Sequence, residues 1–349
     1  MYDLNSVRIT PALLAARVCP IGAGVGLVFW CSCATTPNWE ADDSIRPPLP
    51  AETALNQGAG RGDVLYLSLR FEREVELLFA VDTGAQVTGL DKSLEPKLGK
   101  RLGKVEVFYP DHGPDKGRAY KAHRLYLGGT ELVTGDWIVT QDLRRISFPS
   151  SVVRGILGMD CLRHYCIQLD FAARKIRFLD PDRLEHEELG NGFPLTFSSG
   201  MVFVDENFLG VTGVNSLIDT GDNSDGALAP KLFQRALQEQ GAALRTASTN
   251  QAKRSAETVS RKAFLATGIF GGETYPDLKL WEDSGGSSIG LRFLARHLVT
   301  FNFPKRVMYL KRTSVGPLPV EGSSTNAPIG LKQVEEAKTP LQIPPGSRP

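Results

Sequence analysis

The sequence predicts an all-β fold, mainly β with short helices, built as two tandem lobes related by a pseudo-two-fold axis. The 349 residues include 35 glycines and many short β-branched or aromatic runs, a pattern typical of strands joined by turns. The motif Asp-Thr-Gly occurs twice, each time directly after apolar residues that suit a buried strand. Other blocks also recur in the same order, which indicates that one supersecondary plan is used twice.

The composition is that of an ordinary soluble protein without a strong net field. Apolar residues make up 42% of the chain and charged residues 23%, and 40 basic residues face 39 acidic ones. We therefore expect no nucleic-acid partner. The five histidines are scattered without metal-ligand spacing, so we expect no metal and no cofactor. Cys161 and Cys166, the two cysteines of the globular part, are expected to be buried free thiols or, in an oxidising compartment, a local disulfide.

Residues 1–33 resemble a secretory signal of the lipoprotein type. Two arginines precede an uncharged stretch at 18–30, which is too short to span a bilayer as a helix. The following Cys-Ser-Cys resembles a lipoprotein processing site, with Cys33 as the lipidation candidate and Cys31 as an alternative acceptor. We expect an exported protein, periplasmic or anchored to the membrane through an N-terminal lipid. The alternatives are an unstructured extension or a misassigned start codon.

Composition also divides the chain into segments. Two stretches rich in proline and small polar residues are predicted to form a flexible tether and a disordered tail. A charged stretch between the two halves is predicted to be a solvated linker. The predicted organisation is leader 1–33, tether 34–60, N-terminal lobe 61–180, linker 181–193, C-terminal lobe 194–312 and Pro-rich tail 313–349.

The strand that carries the first Asp-Thr-Gly is predicted to belong to a hairpin. Residues 64–71 alternate between apolar and polar, which predicts a half-buried strand. A second apolar run, 74–81, follows after a short charged turn and ends at Asp82. The residues expected on the buried face of the first strand are Leu65, Leu67, Leu69 and Phe71.

Four blocks of the first half return in the second. The apolar-Asp-Thr-Gly motif, a Gly-Gly turn and two further blocks recur in the same order and with nearly constant spacing. Two chance matches in register with other repeated blocks are improbable, so the repeat is strong evidence for two related lobes. The corresponding positions are Asp82 and Asp219, Gly128 and Gly271, Gly158 and Gly290, and the runs 167–179 and 299–310.

Two related lobes packed about a common axis would bring Asp82 and Asp219 face to face. A strand end fixes each carboxylate rigidly opposite the other. Two adjacent carboxylates cannot both ionise cheaply, so the pair shares one proton. The ionised member can then take a proton from water while the protonated member donates to a substrate carbonyl. The residues expected to support the dyad, through tight turns and hydrogen bonds across the junction, are Thr83, Gly84, Thr220 and Gly221.

On these motifs the sequence resembles a bacterial two-lobed aspartic protease of the pepsin/retropepsin-like superfamily, with retropepsin-like lobes fused in one chain. The resemblance covers about residues 61–312 and includes Ile156-Leu157-Gly158 and Ile289-Gly290, which in that family brace the active turns. It implies two acid-protease β-barrel lobes and a catalytic dyad formed by Asp82 and Asp219.

The resemblance also implies a function. The chain would be an aspartic endopeptidase that hydrolyses peptide bonds with a water activated between two carboxylates, one per lobe. Its substrate would be a peptide or protein held in extended conformation, and the chain would act as a monomer because it carries both halves. Flap hairpins would lie near residues 107–120 and 248–261. The alternative is a catalytically inactive, peptide-binding pseudoprotease of the cell envelope.

The second motif departs from the family at Asp222. The family usually has Ser, Thr or Ala there, and a hydroxyl at this position hydrogen-bonds the catalytic carboxylate; Ala85 is the counterpart in the first motif. A third carboxylate could raise the pKa of the dyad, point into solvent or mark an inactive site. We expect Asp222 to tune the pKa of the dyad upward, which predicts a weakly acidic to neutral optimum.

Overall fold

The structure, a computed structural model, describes residues 46–72, 76–109, 113–146, 148, 153–239, 243–247 and 260–320. Within these ranges the chain is mainly β, with 22 strands arranged in sheets of 13 and nine strands. The strands of the first half are β1 Thr53–Ala54, β2 Tyr66–Phe71, β3 Glu76–Val81, β4 Gly89–Asp91, β5 Arg101–Tyr109, β6 Gly113–Lys121, β7 Leu125–Leu127, β8 Thr130–Glu131, β9 Trp137–Gln141, β10 Gly155–Leu157, β11 Cys166–Asp170 and β12 Lys175–Leu179.

The second half continues with strands of similar length. They are β13 Asn191–Ser198, β14 Met201–Val204, β15 Ser216–Asp219, β16 Gly226–Leu228, β17 Ala243–Ala247, β18 Ser260–Phe270, β19 Glu273–Glu282, β20 Ser287–Gly290, β21 His297–Asn302 and β22 Val307–Arg312. The helices are short: α1 Met159–Leu162, α2 Pro230–Glu239 and α3 Leu291–Leu294, with 3-10 turns at Lys92–Lys97, Leu143–Arg145 and His186–Glu188.

The predicted hairpin before the first Asp-Thr-Gly is confirmed. Strands β2 and β3 pair antiparallel, with Leu67 opposite Phe79. The expected buried face is also confirmed, because its four apolar residues are each at most 4% exposed. Strand β3 is central in its sheet, since β10 pairs with its other side. A central strand is held on both edges, so its last residues have little freedom to move.

The two lobes repeat the same strand order, which confirms the all-β, two-lobed fold class. In the first lobe the order is β5-β6-β9-β4-β10-β3-β2, and in the second it is β17-β18-β19-β16-β20-β15-β14. The pairing directions also agree, because β10 runs parallel to β3 and β20 runs parallel to β15. The repeat that the sequence predicts is therefore a repeat of topology.

The lobes join through strands β11 and β21, which pair antiparallel across the molecule. Gln168 lies opposite Thr300, and its side-chain Nε2 donates a hydrogen bond of 3.0 Å to the Thr300 hydroxyl, a partner 132 residues away. The bracing glycines Gly158 and Gly290 have the same separation in the chain. The pseudo-two-fold axis therefore passes through this pairing, and one continuous sheet ties the two lobes together.

The structure differs from the predicted tether over its last part, residues 46–60. Strand β1 pairs with β12, and Leu55 and Ala59 are buried in the core. The edge of β12 offers unpaired backbone groups that a short segment of almost any composition can satisfy, so Pro-rich composition did not prevent ordering. The predicted tail likewise begins ordered, because Leu318 packs on the core. Residues 1–45 and 321–349 lie outside the described residues.

The main hydrophobic core extends through both lobes, and a second, smaller cluster of buried apolar residues lies in the first lobe. Cys161 and Cys166 are buried and free, so the prediction of free thiols is confirmed. Across the described ranges, none of the helices combines the length and the apolar character that crossing a bilayer requires.

Candidate active site

Both Asp-Thr-Gly motifs begin where a central strand ends. The Asp82 amide donates a hydrogen bond of 3.0 Å to the Leu157 carbonyl at the end of β10. In the second lobe Asp219 is the last residue of β15 and lies in register with Gly290 at the end of β20. The Ile-Leu-Gly and Ile-Gly strands thus hold the two aspartates from the side, at corresponding places in the two lobes.

The glycines of the motifs let each carboxyl approach the opposite turn. A Cβ on Gly84 would lie 2.9 Å from Asp219 Cγ, and a Cβ on Gly221 would lie 2.7 Å from Asp82 Cγ. Both distances are shorter than real Cβ contacts, so any larger residue would push the carboxyls aside. Asp82 and Asp219 therefore lie against each other's turns, on either side of the junction between the lobes.

The two threonines lock the turns through a reciprocal exchange of hydrogen bonds. The Thr83 amide donates to Thr220 Oγ1 and the Thr220 amide donates to Thr83 Oγ1, both at 3.0 Å. Each hydroxyl donates in turn to a carbonyl of the opposite lobe, Thr83 to Ile218 at 2.6 Å and Thr220 to Val81 at 2.7 Å. All four bonds are buried and cross the junction, so they fix the distance between the turns.

The dyad itself is almost fully buried, with Asp82 0% and Asp219 2% exposed. The Gly84 amide donates to Asp82 Oδ1 at 2.8 Å, and the Gly221 amide donates to Asp219 Oδ1 at 2.9 Å. Asp82 Oδ2 has no donor among the described residues. Its neighbour is the Asp219 carboxyl, and the two are close enough to share a hydrogen bond when one of them carries a proton.

Burial shifts the protonation of the dyad strongly. Loss of solvation raises the pKa of Asp82 to about 7, although the Gly84 amide partly opposes this by favouring the ionised form. The pKa of Asp219 is raised well above its ordinary value, first by burial and then by the negative charges of Asp82 and Asp222. Two buried carboxyls in contact titrate as a pair, and this pair holds its shared proton to higher pH than a solvent-exposed carboxyl would.

Asp222 is buried beside the dyad, so the option that it points into solvent is excluded. Its side chain is 3% exposed, and its carboxyl accepts hydrogen bonds from the Ser224 amide and hydroxyl, both at 2.8 Å. Its own amide donates to Asp219 Oδ1 at 3.2 Å. Burial raises the pKa of Asp222 to about 6. With Ala85 in the first motif, the residue after the glycine offers the dyad no hydroxyl in either turn.

Sequence reasoning missed the side chains that anchor the turns within each lobe. In the first lobe, the Thr88 hydroxyl donates to Asp160 Oδ1 at 2.8 Å. In the second lobe, Asp225 forms ion pairs with Arg292 and Arg296, the latter at 2.9 Å. Thr88 and Asp225 are separated by the offset of the two motifs, and Asp160 and Arg292 by the offset of the two bracing glycines. Extending the repeat beyond its identical residues would have shown that these positions correspond, but not which side chains bond to each other, because the residue types differ.

The structure describes only part of the predicted flap hairpins and none of the predicted lipidation site. Strands β5 and β6 form a hairpin at the edge of the first lobe, and β17 and β18 form its counterpart in the second. The tips of both hairpins, where flap residues are predicted, lie outside the described residues, as does Cys33. In the part of the chain that is described, no three His, Cys, Asp or Glu side chains are grouped so as to hold a metal ion.

Comparison with known proteins does not assign this chain to a family. No family model matches the chain, and no curated protein matches it. The crystal structure of Basic 7S globulin from soybean is similar at 11% sequence identity with a TM-score of 0.45, and the match covers 77% of this chain and 96% of that chain. The assignment of an all-β, two-lobed fold therefore rests on the repeated strand order and the paired turns described above.

Proposed function

We propose that this chain is an aspartic endopeptidase, in which Asp82 and Asp219 activate a water molecule between the two lobes. The observation that carries the proposal is the packing of two buried aspartates against each other's glycine turns. A protein gains no stability from two buried carboxyls in contact, since burial and mutual repulsion both oppose their ionisation. Such an arrangement is expected where a shared proton is used for chemistry.

The proposed reaction follows from that shared proton. The ionised carboxyl takes a proton from water as the water oxygen attacks the carbonyl carbon of the peptide. The protonated carboxyl donates its proton to the carbonyl oxygen, which gives a neutral tetrahedral diol. The diol then collapses: the carboxyl that took a proton from water gives it to the leaving nitrogen, and the other carboxyl takes a proton back from a diol hydroxyl. The C–N bond breaks, a carboxylic acid and an amine are released, and the dyad again holds one proton. Substrates would be peptides or proteins bound in extended conformation.

The proposal is tested by cleavage of a peptide library with purified protein from acid to neutral pH. We expect Asp82→Asn and Asp219→Asn each to lower kcat by about 10²- to 10⁴-fold while the protein stays folded, because one carboxyl alone lacks its partner. Asp63→Asn is the matched control, since Asp63 is also buried but binds Tyr66 within its own lobe. Undiminished cleavage by either dyad variant, with contaminating proteases excluded, would refute the assignment.

A peptide-binding pseudoprotease is the competing function, and Asp222 is the observation in its favour. A third buried carboxyl beside the dyad is unusual for the family that the sequence resembles. Its oxygens accept from Ser224, however, so it occupies the position of neither dyad carboxyl. Saturable peptide binding without cleavage by the wild-type protein would favour this alternative. Export, lipidation at Cys33 and action as a monomer also remain proposals.

A further inference from the structure

We propose that Gln86 and Asn223 form two cross-lobe clamps that set the separation of the dyad carboxyls. Each residue lies two positions after the glycine of its Asp-Thr-Gly turn. They are positioning residues, because their contacts are with backbone carbonyls of the opposite lobe. The catalytic consequence of the clamps rests on the proposed function, whereas their effect on dyad protonation does not.

The contacts are direct and reciprocal. Gln86 Nε2, on a side chain that is 7% exposed, donates to the Ser199 carbonyl of the second lobe at 2.5 Å. Asn223 Nδ2, on a half-buried side chain, donates to the Gly62 carbonyl of the first lobe at 3.2 Å. Each active turn is therefore tied to the other lobe by a carboxamide as well as by its threonine.

The two clamps are related by the pseudo-two-fold axis. The donors Gln86 and Asn223 are separated in the chain by the same offset as the two Asp-Thr-Gly motifs, and so are the acceptors Gly62 and Ser199. Donor and acceptor of one clamp thus correspond, position for position, to donor and acceptor of the other. Both positions carry a carboxamide, and both carboxamides donate to corresponding carbonyls. Two incidental contacts would not be expected to match in this way.

Both acceptors belong to turns that hold their carbonyls in place. Ser199 lies in the two-residue turn between β13 and β14 and has a left-handed backbone with φ of 51°. Gly62, with φ of 106°, lies in a turn closed by hydrogen bonds of 2.8 Å from the Arg61 amide and 3.0 Å from the Asp63 amide, both to the Gly58 carbonyl. A hydrogen bond to a rigid turn can hold the two lobes in a fixed relative position, whereas a hydrogen bond to a mobile loop cannot.

Clamps on either side of the junction would resist rotation of one lobe against the other, which the central threonine bonds alone resist poorly. Rotation would move the dyad carboxyls apart and admit water. Both changes make ionisation of the pair easier, because repulsion weakens and solvation improves. The upper apparent pKa of the dyad would then fall, and the proton that catalysis needs would be lost at lower pH.

The test uses Gln86→Ala and Asn223→Ala, with Gln168→Ala as the matched control. Gln168 also donates a carboxamide hydrogen bond across the lobes, at 3.0 Å, but in the joining sheet and away from the turns. We expect each clamp variant to lower kcat about tenfold or more with KM changed less, since small misplacements of reacting groups slow catalysis strongly. The alkaline limb of the pH profile should move toward acid by about half a unit or more. Asn223→Gln, which keeps the donor, should restore most of the activity.

A second readout does not depend on cleavage. The stability of each variant is compared across pH with that of the same variant carrying Asp82→Asn. Burial raises the pKa of the dyad in the folded state, so the dyad lowers the free energy of unfolding as pH rises toward and through that pKa. The difference in stability between the two proteins therefore levels off above the dyad pKa, which gives its position. We expect this pH to be lower in the clamp variants than in wild type and unchanged in Gln168→Ala.

The outcomes separate the two proposals. A lower dyad pKa in the clamp variants without any cleavage by wild type would support the clamps and refute the endopeptidase. An unchanged dyad pKa and unchanged kcat in both clamp variants would overturn the clamps and leave the endopeptidase intact. Equal effects in Gln168→Ala would also overturn them, because any cross-lobe tether would then suffice. If an alanine variant fails to fold, Gln86→Met, which fills the same space without a donor, takes its place.

Discussion

The two aspartates occupy corresponding positions, yet the residues that follow them differ in charge. The first turn continues with Ala85, which is buried and apolar, and the second continues with Asp222, which is buried and ionisable. Asp222 gives Asp219 a backbone N–H, which favours ionisation of Asp219, and a negative charge, which opposes it. Because the charge also reaches Asp82, its net effect falls on the pair. We expect the charge to prevail in a site with so little exposure to solvent.

Replacing Asp222 by serine should therefore move the pH optimum toward acid. The change removes a buried negative charge and restores a hydroxyl that can donate to the dyad, and both effects favour the ionised form and lower the dyad pKa. The shared proton is then lost at lower pH, so the alkaline limb of kcat/KM should shift by about half a unit to one unit toward acid. Rate profiles across pH measure the shift directly.

Asp222→Asn is the control that separates charge from hydrogen bonding. It keeps the shape and an acceptor for Ser224 but removes the charge, so it should give the charge-dependent part of the shift alone. If neither variant moves the profile, Asp222 is a structural residue of its turn and does not tune the dyad.

At the residue scale, the sequence predicted contacts only between residues that are identical in the two halves of the repeat. Asp82 and Asp219 could be paired because their motif recurs unchanged, and the structure packs them together. Asp225 and Arg296 could not be paired, because their counterparts in the first lobe have different chemistry and the two lie far apart in the chain. Side-chain partners of this kind depend on tertiary packing, which no local pattern records.

At the scale of elements, the paired turns act as one unit held by three kinds of contact. Strand ends hold each turn within its lobe, the threonines exchange hydrogen bonds at the centre, and the carboxamides reach the opposite lobe at the sides. Strands β2 and β3 were predictable from their apolar patterns, and the correspondence of the two lobes was predictable from the repeated blocks. Residues 46–60 were not, because their order comes from pairing with β12, which composition does not reveal.

The hydrogen bonds exchanged by Thr83 and Thr220 predict that removal of one threonine hydroxyl lowers the stability of the fold substantially. Thr83→Val keeps the shape of the side chain but leaves the Thr220 amide and the Ile218 carbonyl without their buried partner. Each unpaired buried group costs about 1 to 3 kcal/mol, so the loss of two partners should lower the free energy of unfolding by about 2 to 6 kcal/mol. Chemical denaturation measures this loss directly.

Thr300→Val provides the comparison for the threonine prediction. Thr300 is also fully buried at the lobe junction, but its hydroxyl accepts from the partly buried Gln168, which water can reach. Its loss should cost less than about 2 kcal/mol. If the two variants lost equal free energy of unfolding, the threonine hydrogen bonds at the dyad would stabilise the lobe junction no more than the Gln168–Thr300 bond does.

At the scale of the whole molecule, one chain supplies both halves of the site. The 13-stranded sheet runs from β1 through the joined strands β11 and β21 into the second lobe, so the lobes share a continuous hydrogen-bonded structure. The main core likewise draws on both lobes. A chain with only one such motif would need a second copy to bring two aspartates together, whereas in this chain the junction between the lobes does so.

If the chain is the proposed endopeptidase, this architecture predicts that its active unit is the monomer, and complementation between inactive variants tests that prediction. Asp82→Asn lacks the carboxyl of the first lobe and Asp219→Asn that of the second. If two copies exchanged lobes, mixing the variants would create some sites with both aspartates, and activity would return. In a monomer both aspartates of a site come from one chain, so the mixture should stay as inactive as its components.

The two variants are refolded together from denaturant so that their lobes can exchange, and a refolded wild-type sample shows that activity survives the procedure. Specific activity of wild type should also stay constant on dilution, with sedimentation showing a single species of monomer mass. Recovery of activity in the mixture, or loss on dilution in step with dissociation, would show that the site forms between chains.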